Sequence, residues 1–392
     1  MRYYTIIFAV GCLFGFKVDF SRAAITLPLR GVQRKSLKSA GIYATDYSVK
    51  TDIRNADLAY LVDIEVGSPP QPFTLLFDTG SSTTWIPVQG CGRRCGNPPH
   101  SYVQESSSTA EDTKLKFAIQ YGKGFADGYY VKETFRIGNT SIPSTYVAIS
   151  NFNDGELSND GADGILGAGP DELSFSDNND HQVIPTVLTA MKEAQLIQER
   201  SFSVYFDLIK NQADTRINGE ITFGGVDTER IDPKINYASV TNRTAYKDYW
   251  AINIDGVSID NQIVPESKSM VALVDTGTTM LLAPEVITRE LFRKIPTAFS
   301  DYTGLFSVPC NSGIYIPKFT ITVNGERYVL DGSKYIVPQF QLKNPKAGYC
   351  YTYIQTGSPN LPIILGYGFL QTVGTVYNAD TKQIGFGRHI TR

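Results

Sequence analysis

Phe77-Asp78-Thr79-Gly80-Ser81 in the first half of the chain is echoed by Val274-Asp275-Thr276-Gly277-Thr278 in the second. Each copy is followed at nearly the same distance by an apolar pair and a glycine. The glycine of Ile165-Leu166-Gly167 lies 89 residues after Asp78, and that of Ile364-Leu365-Gly366 lies 91 after Asp275. A spacing this long exceeds any solenoid repeat and points to duplication of a whole lobe. One Asp-Thr-Gly alone would read as a turn. Two, each preceded by an apolar strand and followed by a hydroxyl residue, place a carboxylate at the mouth of a buried strand, where glycine lets another backbone approach. Lobe symmetry would bring Asp78 and Asp275 together.

The rest of the chain fits that frame. Its 392 residues are more than one core usually supports, so two lobes are expected. With 42% hydrophobic and 19% charged residues it is neither a disordered chain nor a nucleic-acid binder. β-branched and aromatic runs recur at Leu58 to Val66, Phe73 to Phe77, Phe202 to Phe206, Tyr249 to Ile254 and Phe319 to Val323. Asn218-Gly219, Asp255-Gly256, Asn324-Gly325 and Asp331-Gly332 read as turns between strands, so the fold class is all-β. Short helices are expected at Ile184 to Ile197 and at Pro284 to Ile295.

Residues 1–24 combine Arg2, the apolar run Thr5 to Phe16 and the small pair Ala23-Ala24, the pattern of a secretory signal peptide; a short N-terminal membrane anchor is the other reading. No later stretch is apolar for the roughly 18 residues a span requires, so no stable membrane insertion is expected. The product is expected to be secreted and extracellular, or held in a vacuole or lysosome-like compartment. Residues 1–44 hold seven Lys or Arg and one Asp, of 36 basic and 39 acidic in all, leaving 29 basic and 38 acidic and a net charge of −9 beyond them. A basic segment ahead of an acidic body suggests an electrostatically docked pro-segment over 25–46, with lobes at 47–235 and 236–392.

Beyond Cys12 in the leader, four cysteines remain, Cys91, Cys95, Cys310 and Cys350. An even number in a secreted chain implies two disulfides. Three pairings are open, of which Cys91 with Cys95 and Cys310 with Cys350 keeps each bridge within one half. Loop closure gives about 2 kcal/mol for the shorter and about 4 kcal/mol for the longer. A zinc site would need four ligands, and only His100 lies near the first pair, so no metal is expected. Asn139-Thr140-Ser141 and Asn242-Arg243-Thr244 are glycosylation sequons.

The motifs together carry a specific resemblance. Asp78-Thr79-Gly80-Ser81-Ser82 with Trp85, Tyr121-Gly122-x-Gly124, Asp163-Gly164-Ile165-Leu166-Gly167, Phe202-Ser203-Val204-Tyr205, Phe223-Gly224-Gly225, Asp275-Thr276-Gly277-Thr278 and Ile364-Leu365-Gly366 stand in the order of the pepsin-like aspartic proteases. Over residues 57 to 390 the chain resembles that family, its secreted fungal members in particular. The resemblance implies a bilobal fold with a cleft between two pseudo-symmetric β lobes, and Asp78 and Asp275 as the catalytic pair. Carboxylates so close share one proton, as the pair in pepsin does. Such a pair activates a water on a peptide bond with no metal, cofactor or covalent intermediate. Thr79 and Thr276 match the threonines that brace the two loops, and Ser81 and Thr278 the hydroxyls on the outer carboxylate oxygens. Tyr121, Gly122 and Lys123 match a flap over the cleft, Trp85 the partner of the tyrosine, and Ile165 a substrate-binding wall. A monomer is implied, acting on protein or peptide substrates flanked by bulky apolar residues and inhibited by statine-type peptides.

Some positions depart from the pattern. The segment ahead of Leu58 is short; Leu27-Pro28-Leu29-Arg30 resembles the start of a pro-segment, with Lys35, Lys38 and Lys50 as candidates for the lysine that blocks the dyad. Gly366-Tyr367-Gly368-Phe369-Leu370 lacks an Asp the family carries outside the dyad. Ala162 is small, which is expected to open the pocket for the residue before the cleaved bond. Lys123 reverses the charge many fungal relatives place there, so Lys or Arg before the scissile bond should be disfavoured. The main rival is a catalytically inactive binding or inhibitor protein on the same scaffold. Retention of Asp78, Asp275 and Tyr121 weighs against it. A glycosidase would not need duplicated loops. A serine hydrolase would need Gly-x-Ser-x-Gly and more than three histidines' worth of choice.

Overall fold

The computed structural model describes residues 24–33, 58–122, 124–159, 161–208, 217–300, 305–310, 315–338 and 348–390. Residues 1–23 of the leader and Lys35, Lys38, Lys50 and Lys123 lie outside them. The fold is the expected all-β one with a few short helices. Gln71–Asp78 shows how sequence becomes position. Its burial alternates at first, as in a strand with one face to solvent, then becomes complete from Leu75 to Asp78 as it enters the core.

The two halves repeat one arrangement. In the first, Leu75 to Asp78 runs parallel to Gly164–Gly167, which pairs antiparallel with Trp85–Pro87 through Ile165. In the second, Ala272 to Val274 runs parallel to Ile363–Leu365, which pairs antiparallel with Leu281–Ala283. The repeated Ile-Leu-Gly is therefore the strand that flanks each Asp-Thr-Gly strand. Ala168 N–H donates to Asp78 O at 2.8 Å and Asp275 N–H to Leu365 O at 3.1 Å, so each aspartate is held at the end of a central strand.

A 13-stranded sheet joins the halves. Gly374–Asn378, near the end of the chain, pairs antiparallel with Ser201–Phe206 of the first half. Phe202 stacks on Tyr377 at 4.6 Å and meets Trp250 edge-on at 6.3 Å. Trp250 Nε1 donates to Ala168 O at 2.8 Å, tying the second half to the loop beside Asp78. All three rings are buried. Aromatic contacts of this kind add roughly 0.5–1.5 kcal/mol each beyond area burial, which makes this a stiff floor.

Ile25–Gln33, expected in the pro-segment, is an internal strand between Ile217–Phe223 and Leu58–Val66. Leu27 and Leu29 point into the core, worth roughly 1.5–3 kcal/mol each. Charge alone thus does not describe how this segment docks. Asn218-Gly219, expected as a turn, lies within a strand. Asn218 Oδ1 accepts from Gly31 N–H and its Nδ2 donates to Tyr60 Oη at 3.0 Å, so a residue with turn chemistry serves a cross-strand role. The helices are shorter than expected, Val187–Glu193 and Glu285–Arg293. Asp331-Gly332 opens a helical turn, with the Asp331 carboxylate accepting from Ser333 N–H.

Candidate active site

Asp78 and Asp275 end matching strands and face each other across the junction of the halves. Each carboxylate is fixed by its own loop. Gly80 N–H donates to Asp78 Oδ1 at 2.8 Å and Ser81 Oγ to Oδ2 at 2.5 Å. Gly277 N–H donates to Asp275 Oδ1 at 2.8 Å and Thr278 Oγ1 to Oδ2 at 2.6 Å. The Oδ1 atoms point toward the opposite loop. A Cβ on Gly277 would come within 2.3 Å of Asp78 Oδ1, and one on Gly80 within 2.8 Å of Asp275 Oδ1. Glycine is what permits this approach.

Thr79 and Thr276 lock the loops reciprocally. Thr79 Oγ1 donates to Val274 O at 2.8 Å and accepts from Thr276 N–H at 3.0 Å. Thr276 Oγ1 donates to Phe77 O and accepts from Thr79 N–H, both at 3.0 Å. Four buried bonds thus set the separation of two carboxylates that are 197 residues apart in sequence. Tyr377 is fully buried, and its hydroxyl accepts from Thr375 Oγ1 at 3.3 Å.

This enclosure shifts the acid chemistry. Burial, and then the adjacent Asp275 carboxylate, push the Asp78 carboxyl up to about 7, against the lowering effect of Ser81 and Gly80. An acid held protonated beside an ionisable partner can donate at one oxygen while the pair accepts at another.

Over the dyad, Glu111–Gln120 and Phe125–Ile137 form a hairpin whose tip carries Tyr121 and Gly122. Tyr121 N–H donates to Gly124 O at 2.9 Å, and Trp85 Nε1 donates to Tyr121 Oη at 2.8 Å. Burial, then Asp78 and Asp177, hold the Tyr121 phenol well above its ordinary range. Leu76, Trp85, Ile119 and Ile165 form an apolar cluster under the hairpin, with Tyr121 packed against it. Ala162 belongs to that cluster but is 1% exposed, so its small side chain opens no space to the cleft.

Cys91 is bridged to Cys95 and Cys310 to Cys350. His100 Nδ1 meets Asp163 Oδ2 at 2.9 Å, and its N–H donates to Asp163 Oδ1. Asn139 and Asn242 are both exposed. Among the described residues no helix is long and apolar enough to cross a membrane. Sequence reasoning passed over Asp177, Thr83, Trp250 and Tyr377. Their partners are distant in the chain and no local pattern marks them.

A family model described as "Eukaryotic aspartyl protease" matches residues 59–389. Cathepsin D of Chionodraco hamatus is 31% identical over 337 residues, 85% of this chain and 81% of the relative. Human gastricsin is 30% identical over 337 residues, 84% of this chain and 81% of the relative. The crystal structure of an aspartic proteinase from Irpex lacteus superposes with a TM-score of 0.75 at 25% identity, covering 93% of this chain and 97% of that one. The similarity extends to animal and fungal proteins and is not confined to secreted fungal ones.

Proposed function

Because the chain belongs to the eukaryotic aspartyl protease family and is an aspartic-type endopeptidase, we propose that Asp78 and Asp275 together perform the hydrolysis. The observation that carries this is the reciprocal threonine lock, which holds two carboxylates from two halves face to face with one of them favouring its protonated form.

At acidic pH the pair carries one proton. The ionised carboxylate takes a proton from water as its oxygen attacks the scissile carbonyl carbon. The protonated carboxyl gives its proton to the carbonyl oxygen, forming a neutral gem-diol. Return of one hydroxyl proton to the dyad and delivery of a proton to the amide nitrogen break the C–N bond, and the dyad ends as it began. Ser81 and Thr278 keep the outer oxygens from turning. Tyr121, anchored by Trp85, closes over the substrate, and the apolar surface beneath the hairpin favours bulky apolar residues around the cleaved bond. The charge of Lys123, which stands between Gly122 and Gly124 in the sequence, disfavours Lys and Arg before the cleaved bond.

The protein acts as a secreted monomer on protein or peptide substrates, its basic N-terminal segment docking as the strand Ile25–Gln33 until it is processed. Incubation with acid-denatured haemoglobin, with and without a statine-type peptide inhibitor, tests the activity. Inhibitable release of peptides supports the reading. Inhibitor binding without cleavage would point to the inactive binding protein instead. N-terminal sequencing of the secreted form tests the processing.

A further inference from the structure

Asp177 is a carboxylate 8% exposed that the mechanism above leaves unused. It sits where three elements meet. Its Oδ2 accepts from Thr83 Oγ1 at 2.9 Å, on the segment that leads from Asp78 to Trp85. Thr83 Oγ1 in turn shares a hydrogen bond of 3.0 Å with Tyr130 Oη, on the second strand of the flap hairpin. Asp177 O accepts from Ala118 N–H at 2.8 Å, on the first strand, and the neighbouring Asn178 bridges Phe117. Asp177 therefore holds the first flap strand through its backbone and, through Thr83, links the dyad segment to the second.

The groups that face it are acids and hydroxyls. Tyr121 and Tyr130 come from the flap, and Tyr249 from the second half; all three phenols feel the Asp177 charge. On the dyad segment the ionisable group is Asp78, and on its own segment Asp180 and His181 are exposed. Ser176 Oγ is a distant second donor at 3.5 Å. Among the described residues Asp177 has no ion-pair partner within 4 Å. Two hydroxyl donors, one of them at 3.5 Å, and no cation only partly offset the cost of burying an anion here, so burial favours the neutral carboxyl. Burial, opposed by Thr83 and Ser176, pushes the carboxyl up to about 6.

We propose that Asp177 is a positioning residue that latches the flap hairpin to the dyad loop while protonated and releases it on ionisation. The latch rests on the proposed role of the flap in closing over substrate. It separates two pH effects: the dyad governs the chemical step, and Asp177 governs how firmly substrate is covered.

The test is kcat and KM for one apolar peptide substrate from pH 3.5 to 7.5, in wild type and Asp177→Asn, an isosteric side chain that does not ionise. Wild-type KM should rise about 5-fold or more between pH 5 and 7, and that rise should be absent in Asp177→Asn. The kcat limb, set by the dyad, should follow the same pH dependence in both. A KM profile shared by the two proteins, or a wild-type KM flat across that range, overturns the latch. So does a shifted kcat limb with KM unaltered. If Asp177→Asn does not fold, Thr83→Val breaks the same link: several-fold higher KM at pH 4 with kcat retained supports the latch, and unchanged KM refutes it. Absence of statine-inhibitable activity in wild type would instead sink the proteolytic reading, a separate outcome.

Discussion

Replacing Asp78 with Asn should make the folded protein more stable at neutral pH while leaving it inactive. In the folded state the Asp78 carboxyl titrates at about 7, raised from 3.8 chiefly by burial and then by Asp275. An acid whose folded pKa is raised binds its proton more tightly when folded. Its stabilising contribution is fully present below pH 4 and is lost as pH climbs to 7. Three units at 1.36 kcal/mol each come to about 4 kcal/mol, a large share of a typical 5–15 kcal/mol stability. Asp177, raised to about 6, adds about 3 kcal/mol of the same sign in the window from pH 4 to 6. The asparagine amide must sit among donors from Gly80 and Ser81, which costs about 1 kcal/mol. Urea unfolding at pH 4, 5, 6 and 7, followed by fluorescence, reads these terms. Wild-type stability should fall steadily to pH 7. In Asp78→Asn the fall between pH 4 and 6 should persist and the curve should flatten above it, leaving the variant about 3 kcal/mol more stable than wild type at neutrality. Parallel curves, or a wild type that gains stability toward pH 7, would refute this account of the buried acid.

Two further outcomes are expected. Thr79→Val keeps the shape of the side chain but leaves Val274 O and Thr276 N–H buried without partners, at about 1–3 kcal/mol each, so thermal melting should show a loss of about 2–6 kcal/mol together with a lower kcat; Thr79→Ser should retain most of both. Lys123→Asp should raise cleavage after Lys in a peptide library. Two like charges about 6 Å apart at an effective dielectric between ~20 and ~80 repel by roughly 0.7–3 kcal/mol, or about 3-fold to over 100-fold; equal acceptance of Lys by both proteins would show that Lys123 does not set specificity.

What was legible in the sequence was whatever is locally encoded or repeated. Leu58–Val66 and Phe319–Val323 were found with their full bounds because their strand-forming residues are contiguous. Asp78 and Asp275 stood out because each carries the same local motif, and lobe duplication then supplied the long-range contact. Asn218-Gly219 misled because turn chemistry was read where the side chain works across the sheet on Gly31, 187 residues away. Asp177 was invisible for a related reason. Ser176-Asp177-Asn178-Asn179-Asp180 has the composition of a solvated loop, and its burial depends on Thr83, 94 residues earlier, and on the flap. Helix ends were overdrawn because short apolar flanks such as Ile184 and Ile197 are buried without being helical.

The central claim is that one proton shared by Asp78 and Asp275 performs the hydrolysis, and peptidase assay of three purified proteins on denatured haemoglobin at acidic pH tests it most directly. Wild type should release peptides and be blocked by a statine-type inhibitor. Asp78→Asn and Asp275→Asn should each fold, by near-ultraviolet circular dichroism, yet lose activity by roughly 10²–10⁴-fold or more. Activity retained in a pure sample of either variant would contradict the assignment.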